Sequence, residues 1–253
     1  MVAEDLLERL DTVTRKFEHA LDLGCGGGSV SEGLRARGVD VVAADPGFAF
    51  AGAAGGVQAD EDRLPFADGS FDLVVSLGVL DSVNDLPGAL LLIRRVLKPD
   101  GLFLGALAGG GSLPRLRSAM LAADAAQGGA APRIHPQIDV RAAGDLLTRA
   151  GFALPVVDWH GVDVRFRHLL SLVADLRAMG ATNVLASRSR QPLGREALAA
   201  AMEDFAAHAD PDGKTAERFE IIHLLGWAPA PSQPKPARRG SATVSLAEAL
   251  KPR

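Results

Sequence analysis

A glycine-rich segment near the amino terminus has the residue types and spacing of a ligand-binding loop. The apolar run HALDL, residues 19–23, is followed directly by GCGGG, residues 24–28. This order predicts a buried strand, a tight loop and a helix that begins at residue 29. Glycines let a ligand approach the loop backbone closely, and the N-terminus of the helix offers unpaired N–H groups with a partial positive charge. The segment is therefore the first candidate site.

Two classes of ligand use a loop of this kind. The dinucleotide pattern G-x-G-x-x-G/A fails at its third position, because counting from Gly24 puts Ser29 there. The alternative pattern, acidic-x-G-x-G-x-G, is complete, with Asp22, Gly24, Gly26 and Gly28. A carboxylate at a strand end suits a cationic amino group, such as that of S-adenosylmethionine, and repels a pyrophosphate. The spacing favours S-adenosylmethionine, and a strand-to-helix turn without a ligand is the alternative.

A second acidic residue ends the next predicted strand. Asp45 follows the apolar run 39–44 and comes 21 residues after Gly24. From this position a carboxylate accepts hydrogen bonds from ribose hydroxyls. The alternative is that Asp45 is a turn residue, helped by Pro46. With the glycine loop upstream, ribose binding is the favoured interpretation, and Pro46 joins the predicted cofactor site.

Two more strand ends contribute predicted site residues. Asp60, followed by Glu61, comes after a short third strand, and a carboxylate there can accept a hydrogen bond from the exocyclic amine of adenine. An N-cap or a solvated acidic cluster is the alternative. Ser76 and Leu77 end a fourth strand, FDLVVSL, and are expected to line the floor of the site through their backbone.

Strands and helices alternate along the first half of the chain, which indicates how these residues are positioned. Continuous apolar strands predict a parallel sheet that is covered on both faces, and right-handed crossovers make it a doubly wound α/β fold. The predicted strands are 19–23, 39–44, 57–59, 71–77 and 101–107, and the predicted helices are 2–17, 29–37 and 86–97.

The second half is less regular. A strand at 152–158 and a late strand at 218–227 are expected to complete the sheet, the last one as an antiparallel neighbour. The span 160–212 between them is predicted to be a helical insertion. We therefore expect one domain over residues 1–228, followed by a Pro-rich basic tail over 229–253 that has five of the fifteen prolines.

The composition limits the class of protein. The 253 residues carry a net charge of -4 and 47% hydrophobic residues, as in an ordinary globular core, which argues against non-specific binding to nucleic acid or an anionic membrane. The single cysteine, Cys25, excludes an internal disulfide and leaves no cluster for structural zinc. We find no apolar run of about 18 residues and no secretory signal, and so expect a cytoplasmic protein without a transmembrane segment.

The sequence identifies no catalytic residue. The six histidines, at 19, 135, 160, 168, 208 and 223, include no pair with metal-ligand spacing, so no metal site and no set of two histidines and one carboxylate is predicted. His135 lies in a loop from which it could reach a substrate.

Methyl transfer from a sulfonium depends mainly on the alignment of the nucleophile, the methyl carbon and the sulfur. An acceptor carboxylate is already ionised and needs no base, whereas an amine or hydroxyl usually does.

Residues 20–108 resemble the class I S-adenosylmethionine-dependent methyltransferases. The resemblance is carried, in this order, by LDLGCGGG, the strand-end Asp45, ADEDRLPF, FDLVVS and LKPDGLFL. It implies a seven-stranded Rossmann-like sheet whose last strand is antiparallel. It also implies that Cys25, although a thiol at a helix N-terminus can be acidified, is a small packing residue of the cofactor loop.

The second half resembles one branch of that family. NDLPGAL, DVRAAGDLLTRAGFALPVVD, DLRAMGATNVL and FEIIHLLGWAP are similar to the complex I assembly factor methyltransferase-like proteins and, more distantly, to malonyl-acyl-carrier-protein methyltransferases. The resemblance implies a small-molecule or acyl-carrier-linked acceptor. It leaves open a complex I subunit whose arginine is hydroxylated, and a binding module without catalysis.

One departure from the family pattern concerns the acceptor. Family members usually carry an aromatic pair, often His-Trp, where this chain has Asp81 and Ser82. These positions follow the fourth strand and are expected to face the substrate. The departure therefore affects the identity of the acceptor more than the binding of the cofactor.

Overall fold

The fold is a single seven-stranded sheet with helices on both faces. The computed structural model describes residues 1–234, Ser241 and Ser245. The strands are β1 (His19–Leu23), β2 (Asp40–Asp45), β3 (Val57–Gln58), β4 (Phe71–Leu77), β5 (Leu97–Ala108), β6 (Ala153–Phe166) and β7 (Thr215–Trp227). The helices are α1 (Val2–Asp11), α2 (Ser29–Ala36), α3 (Phe48–Ala53), α4 (Leu86–Val96), α5 (Pro114–Gln127), α6 (Val140–Arg149), α7 (Leu169–Ala178) and α8 (Arg195–Ala207).

The strand order is β3-β2-β1-β4-β5-β7-β6. Strands β1 to β5 pair in parallel, and β7 inserts between β5 and β6 antiparallel to both. The predicted doubly wound α/β class and the antiparallel last strand are confirmed. The order reverses between β1 and β4, so their carboxyl ends form the crevice in which ligands of such sheets bind.

Two cores lie on opposite faces of this sheet. Helices α1 and α2 cover one face and helices α4 and α6 cover the other. On β4, Leu73 and Val75 enter the first core, whereas Val74 enters the second. This double burial explains why the strand sequence FDLVVSL is almost continuously apolar. Helix α1 ends at Asp11, before the predicted end at residue 17.

A third core lies beyond the main sheet. Strands β6 and β7 continue as a two-stranded ribbon, and Phe166 near its end packs among α5, α7 and α8. The predicted start of the helical insertion at residue 160 is therefore wrong, because β6 pairs with β7 as far as Phe166. The insertion begins after residue 166, since the ribbon continues to form backbone hydrogen bonds past the edge of the sheet.

The chain beyond β7 is described only in part. Gln233 donates to the Asp100 carboxylate over 2.9 Å, so residues up to 234 lie against the turn before the second half of β5. Most of the predicted tail, including the segment SLAEAL, lies outside the described residues. Within the described part, every helix is too short or too polar to cross a membrane.

Candidate cofactor and acceptor site

The glycine loop joins β1 to α2 at the crevice. Gly24, Gly26 and Gly28 all have positive φ angles, of 75°, 47° and 80°. A Cβ atom at Gly24 would collide with the Val79 side chain, whereas one at Gly27 or Gly28 would meet no described atom within 4 Å. Gly24 is therefore required because a larger residue would not fit against Val79. The backbone at Gly27 and Gly28 faces open space, which a ligand needs if it is to approach the loop closely.

Asp22 lies directly under this loop and is buried. One of its oxygens accepts a hydrogen bond of 2.6 Å from the Ser31 hydroxyl. The other, Oδ1, has no hydrogen-bond partner among the residues that the structure describes. Burial raises the pKa of this carboxyl, and the Ser31 hydrogen bond opposes the rise. A buried carboxylate oxygen without a partner is costly, and a cationic donor from a ligand would satisfy it.

Asp45 ends β2 beside the loop. Its Oδ2 accepts from the Gly26 N–H over 2.9 Å, and its Oδ1 accepts from the Gly47 N–H over 2.8 Å. Each carboxylate oxygen has a second lone pair, so both can still accept from a ligand hydroxyl. The next carbonyl, that of Pro46, accepts from the Gln58 side chain over 3.0 Å, which ties the turn to β3.

The two acidic residues after β3 differ in environment. Asp60 is exposed, and its Oδ1 accepts from the Asp62 N–H in a local turn over 2.9 Å. Glu61 is buried, and its Oε1 lacks a hydrogen-bond partner within the described residues. Burial, reinforced by the charges of Asp60 and Asp45, raises the pKa of Glu61 to about 7. Glu61 is therefore desolvated and close enough to Asp45 to feel its charge, whereas Asp60 is exposed to solvent.

The remaining predicted cofactor residues lie behind the loop. Ser76 is buried opposite Leu23 in the β4–β1 register, and its hydroxyl has no described partner. Leu77 packs into the core beneath α1 and α2. Cys25 is buried, and burial together with Asp22 and Asp45 raises the pKa of its thiol to about 11. Such a thiol stays protonated at neutral pH and is not a nucleophile.

A cavity of about 440 Å³ lies beyond the carboxyl ends of β4 and β5. Asp81, Ser82 and His135 all line it, so the structure brings together the three residues predicted to face a substrate. The Val79 side chain lies against Gly24, and the next residues, Leu80 and Asp81, line the cavity, so one short segment borders both the loop and the cavity. We call this space the acceptor cavity.

The acceptor cavity has one acidic and one imidazole group on its walls. Burial raises the pKa of Asp81, while a backbone hydrogen bond from Ala108 and the nearby His135 oppose the rise. His135 Nε2 accepts from the Val184 N–H over 3.1 Å, so the neutral ring carries its proton on Nδ1. The ring orientation is therefore fixed by the chain of the insertion.

The insertion supplies a wall that the sequence did not reveal. Residues 184–186, in the segment between α7 and α8, line the acceptor cavity opposite Asp81. Asn183 anchors this segment, because its side-chain amide donates to the Pro132 carbonyl over 2.8 Å. The contact joins residues about 50 apart in sequence, and no local motif signals it.

Comparisons with known proteins were made for the whole chain. The family model described as "Methyltransferase domain" matches residues 21–105. The chain is 39% identical to "Arginine-hydroxylase NDUFAF5, mitochondrial" of Danio rerio, over 99% of this chain and 81% of that protein. It is 34% identical to "Malonyl-[acyl-carrier protein] O-methyltransferase" of Methylovorus sp. (strain MP688), over 90% of this chain and 81% of that protein.

The chain belongs to the class I S-adenosylmethionine-dependent methyltransferase family. It lies in the branch that contains both relatives, as its sequence motifs predict. A putative methyltransferase from Bacillus halodurans has the same fold, with a TM-score of 0.60 and 20% identity over 90% of this chain and 100% of that one. S-adenosylmethionine, which gives this family its name, is therefore the cofactor of the chain.

Proposed function

We propose that S-adenosylmethionine binds along the glycine loop and that the acceptor enters the adjoining cavity for methyl transfer. The single observation that carries this proposal is that one short segment borders both places, because the Val79 side chain lies against Gly24 and the next residues, Leu80 and Asp81, line the cavity. In the proposed arrangement the methionine part lies over Gly24, Gly26 and Gly28, and Asp45 holds the ribose. Asp60 or Glu61 accepts from the adenine amine, and the backbone of Ser76 and Leu77 forms the floor.

The donor set fits this cofactor. Asp22 Oδ1 is a buried acceptor without a described partner, and the amino group of the methionine part is the cation that would satisfy it. The space above Gly27 and Gly28 is open, as a ligand lying on the backbone requires. The chemistry that bound S-adenosylmethionine supplies is an electrophilic methyl group on a sulfonium.

The chain's own task is to align the acceptor and to exclude water. Asp81 is a group in the acceptor cavity that can take a proton from an amine or hydroxyl acceptor, because burial raises its pKa and so makes the carboxylate a stronger base than a solvated one. His135 Nε2 already accepts a backbone hydrogen bond and serves to orient the wall. A carboxylate on the wall favours a cationic or neutral acceptor over an anionic one.

Cofactor binding is tested with two buried aspartates on neighbouring strands. Asp22→Asn removes the charge at the glycine loop and is expected to weaken S-adenosylmethionine binding about 10- to 100-fold, as for loss of a charged hydrogen bond. Asp72→Asn is the matched control, because the Asp72 carboxylate accepts from the Glu18 and His19 N–H groups at the far end of β4. It should lower stability and leave the affinity unchanged. Isothermal titration calorimetry that gives equal losses for both variants would contradict the proposed site.

Methyl transfer is tested with labelled S-adenosylmethionine. The acceptors to offer are small amines, acyl-carrier-linked carboxylates and arginine-containing peptides. Asp81→Asn is expected to lower kcat without changing the affinity for S-adenosylmethionine, whereas Asp85→Asn, at the N-cap of α4, should retain kcat. If no acceptor class gains label, the chain is a binding module or modifies its acceptor in another way.

Modification of a protein arginine is the second candidate. It is supported by the name of the Danio rerio relative, which matches nearly the whole chain, and by the Asp81 carboxylate in the cavity wall, which suits a guanidinium. In this version the acceptor is an arginine of a respiratory complex I subunit, met in the cytoplasm, and molecular oxygen with a two-electron reductant supplies the added oxygen atom and leaves water. Peptide masses of the complex I peripheral subunits should then differ between wild-type and deletion cells by one oxygen on an arginine. Identical masses would exclude this candidate and leave the labelled-methyl assay to identify the acceptor.

A further inference from the structure

Two histidines and a carboxylate meet on the sheet away from the cofactor crevice. Asp5 belongs to α1, His160 to β6 and His223 to β7. In the strand register His223 pairs with Asp158 and His160 pairs with Ile221, so both rings point to the face that α1 covers. Neither the glycine loop nor the acceptor cavity includes any of the three residues.

The three side chains converge on one point. His223 Nε2 lies 3.0 Å from Asp5 Oδ2 and 3.3 Å from His160 Nδ1. All the atoms that could bind an ion lie within 4.8 Å of one another. Two ligands at about 2.1 Å from one metal ion, with bond angles between octahedral and tetrahedral values, are about 3.0–3.4 Å apart. The two separations from His223 Nε2 fall in this range, and the third, between the Asp5 and His160 ligand atoms, is at most 4.8 Å.

Hydrogen bonds alone account poorly for this arrangement. A neutral imidazole carries one N–H, and His223 Nε2 faces both a carboxylate oxygen and a second imidazole nitrogen. If Nε2 carries the proton, that proton faces two acceptors, and if Nδ1 carries it, the Nε2 lone pair faces the Asp5 carboxylate. In either tautomer His223 Nδ1 is buried without a hydrogen-bond partner in the described chain. His223 is 3% exposed, so water does not compensate readily.

The nearest competing cation is Arg9, one turn along α1 from Asp5. Its Nη1 lies 2.6 Å from Asp158 Oδ2, whereas its Nε is 3.4 Å from Asp5 Oδ2. Arg9 therefore pairs mainly with Asp158, and Asp5 keeps its capacity to bind another cation. Asp5 and His160 are half-buried, so an ion could enter from solvent and keep water as a further ligand.

We propose that Asp5, His160 and His223 form a binding site for a first-row divalent transition-metal ion. Two imidazoles and one carboxylate suit Zn²⁺, Co²⁺ or Fe²⁺, whereas Mg²⁺ and Ca²⁺ prefer sites made of oxygens alone. The site ties α1 to the two strands at one edge of the sheet. It is independent of the proposed methyl transfer, because no residue is shared with the cofactor site or the acceptor cavity.

The probe is Co²⁺, whose visible absorption reports its coordination. The full-length protein is stripped with a chelator and titrated with Co²⁺, and the expected result is saturable binding of one ion per chain. Asp5→Asn and His160→Gln should each weaken binding more than about tenfold, since even groups behind a metal ligand contribute roughly 10–100-fold. His19→Gln is the matched control, because His19 forms a similar pair with Asp40, 3.3 Å away, at the surface.

The Co²⁺ titration has distinct outcomes for a real site and for no site. Weaker binding in both variants, with wild-type binding in His19→Gln, supports the site. Absence of saturable binding, or unchanged affinity in either ligand variant, overturns it.

Thermal unfolding with and without Co²⁺ is a second readout, because an ion that binds only the folded state raises the Tm. The wild-type Tm should rise with Co²⁺, and equal rises in wild type and both ligand variants would also overturn the proposal. S-adenosylmethionine affinity, measured in parallel, should stay unchanged in all variants.

Discussion

The glycine loop and the acceptor cavity lie side by side, yet the chain builds them in opposite ways. The loop is formed by neighbours in sequence, with Asp22 and Gly24 to Gly28 placed by one strand and one helix. The cavity joins the loop after β4 to His135 and to residues 184–186 of the insertion. The loop thus depends on local backbone geometry, whereas the cavity depends on long-range packing.

This difference separates two functions. The family model matches residues 21–105, which include the loop and stop before His135 and the insertion. The two relatives have different names, and each matches 90% or more of this chain. A common cofactor can therefore be held by a shared first half while the second half changes the acceptor, as expected where function resides in sites carried by a fold.

The strongest way to break the loop is Gly24→Ala. A Cβ atom there collides with Val79 at a φ of +75°, so we expect a loss of about 3 kcal/mol in stability and no measurable cofactor binding. Gly38→Ala is the control, because Gly38 has a φ of +80° with no described atom within 4 Å of the added carbon. It should cost only about 1 kcal/mol and keep cofactor affinity. Equal effects in denaturation and calorimetry would show that the Val79 contact is unimportant.

A smaller effect is expected where the second half is held together. Glu217 is fully buried on β7, and its carboxylate accepts from the Arg115 and Leu116 N–H groups at the start of α5. Glu217→Ala leaves these groups unpaired and should cost about 2 kcal/mol. S-adenosylmethionine affinity should not change, because the third core is separate from the loop.

The control for that variant is Glu203→Ala, at an exposed position of α8, which should alter stability by less than about 0.5 kcal/mol. Urea denaturation gives the stability and calorimetry the affinity. Cofactor affinity that falls in step with the stability of Glu217→Ala would mean that the two halves are one cooperative unit.

The smallest expected effect depends on pH and concerns Glu61. Burial raises its pKa from 4.5 to about 7, so the folded protein holds the proton more tightly than the unfolded chain. The contribution of protonated Glu61 to the stability of the folded protein is complete below pH 4.5 and is lost as the pH rises through about 7. Glu61→Gln mimics the protonated form and should be more stable than wild type by about 1–2 kcal/mol at about pH 8, but not at about pH 4.

Denaturation without cofactor at several pH values measures this difference. Glu8→Gln, an exposed change on α1, should follow the wild-type pH profile. A constant difference between Glu61→Gln and wild type across the pH range would mean that Glu61 does not titrate as its burial requires.

The sequence predicted those features that depend on nearby residues. The run HALDL followed by GCGGG predicts β1, the loop and α2, and Asp45 is predicted at the end of β2, where the structure has it. Features made by distant segments gave no such signal. His160 and His223 are 63 residues apart and meet only because β6 and β7 pair. Val184 meets His135 only because the insertion folds back over it.

The start of the insertion was misjudged for a related reason. Residues 160–166 lie on a ribbon whose outer strand has only one neighbour, so most of its side chains are exposed. An exposed strand lacks the apolar run that marked β1 or β4. Its pairing with β7 is a property of the backbone and does not appear in the composition.

The ribbon also has a consequence for engineering. Phe166 and Thr215, the residues that flank the insertion, are directly paired, so the two ends of the inserted segment lie about 5 Å apart. A segment whose ends meet so closely can be exchanged for another of different length without stretching the host sheet, as with domains inserted at adjacent termini. Exchange of the insertion would therefore replace the cavity wall formed by residues 184–186 and leave the seven-stranded sheet in place.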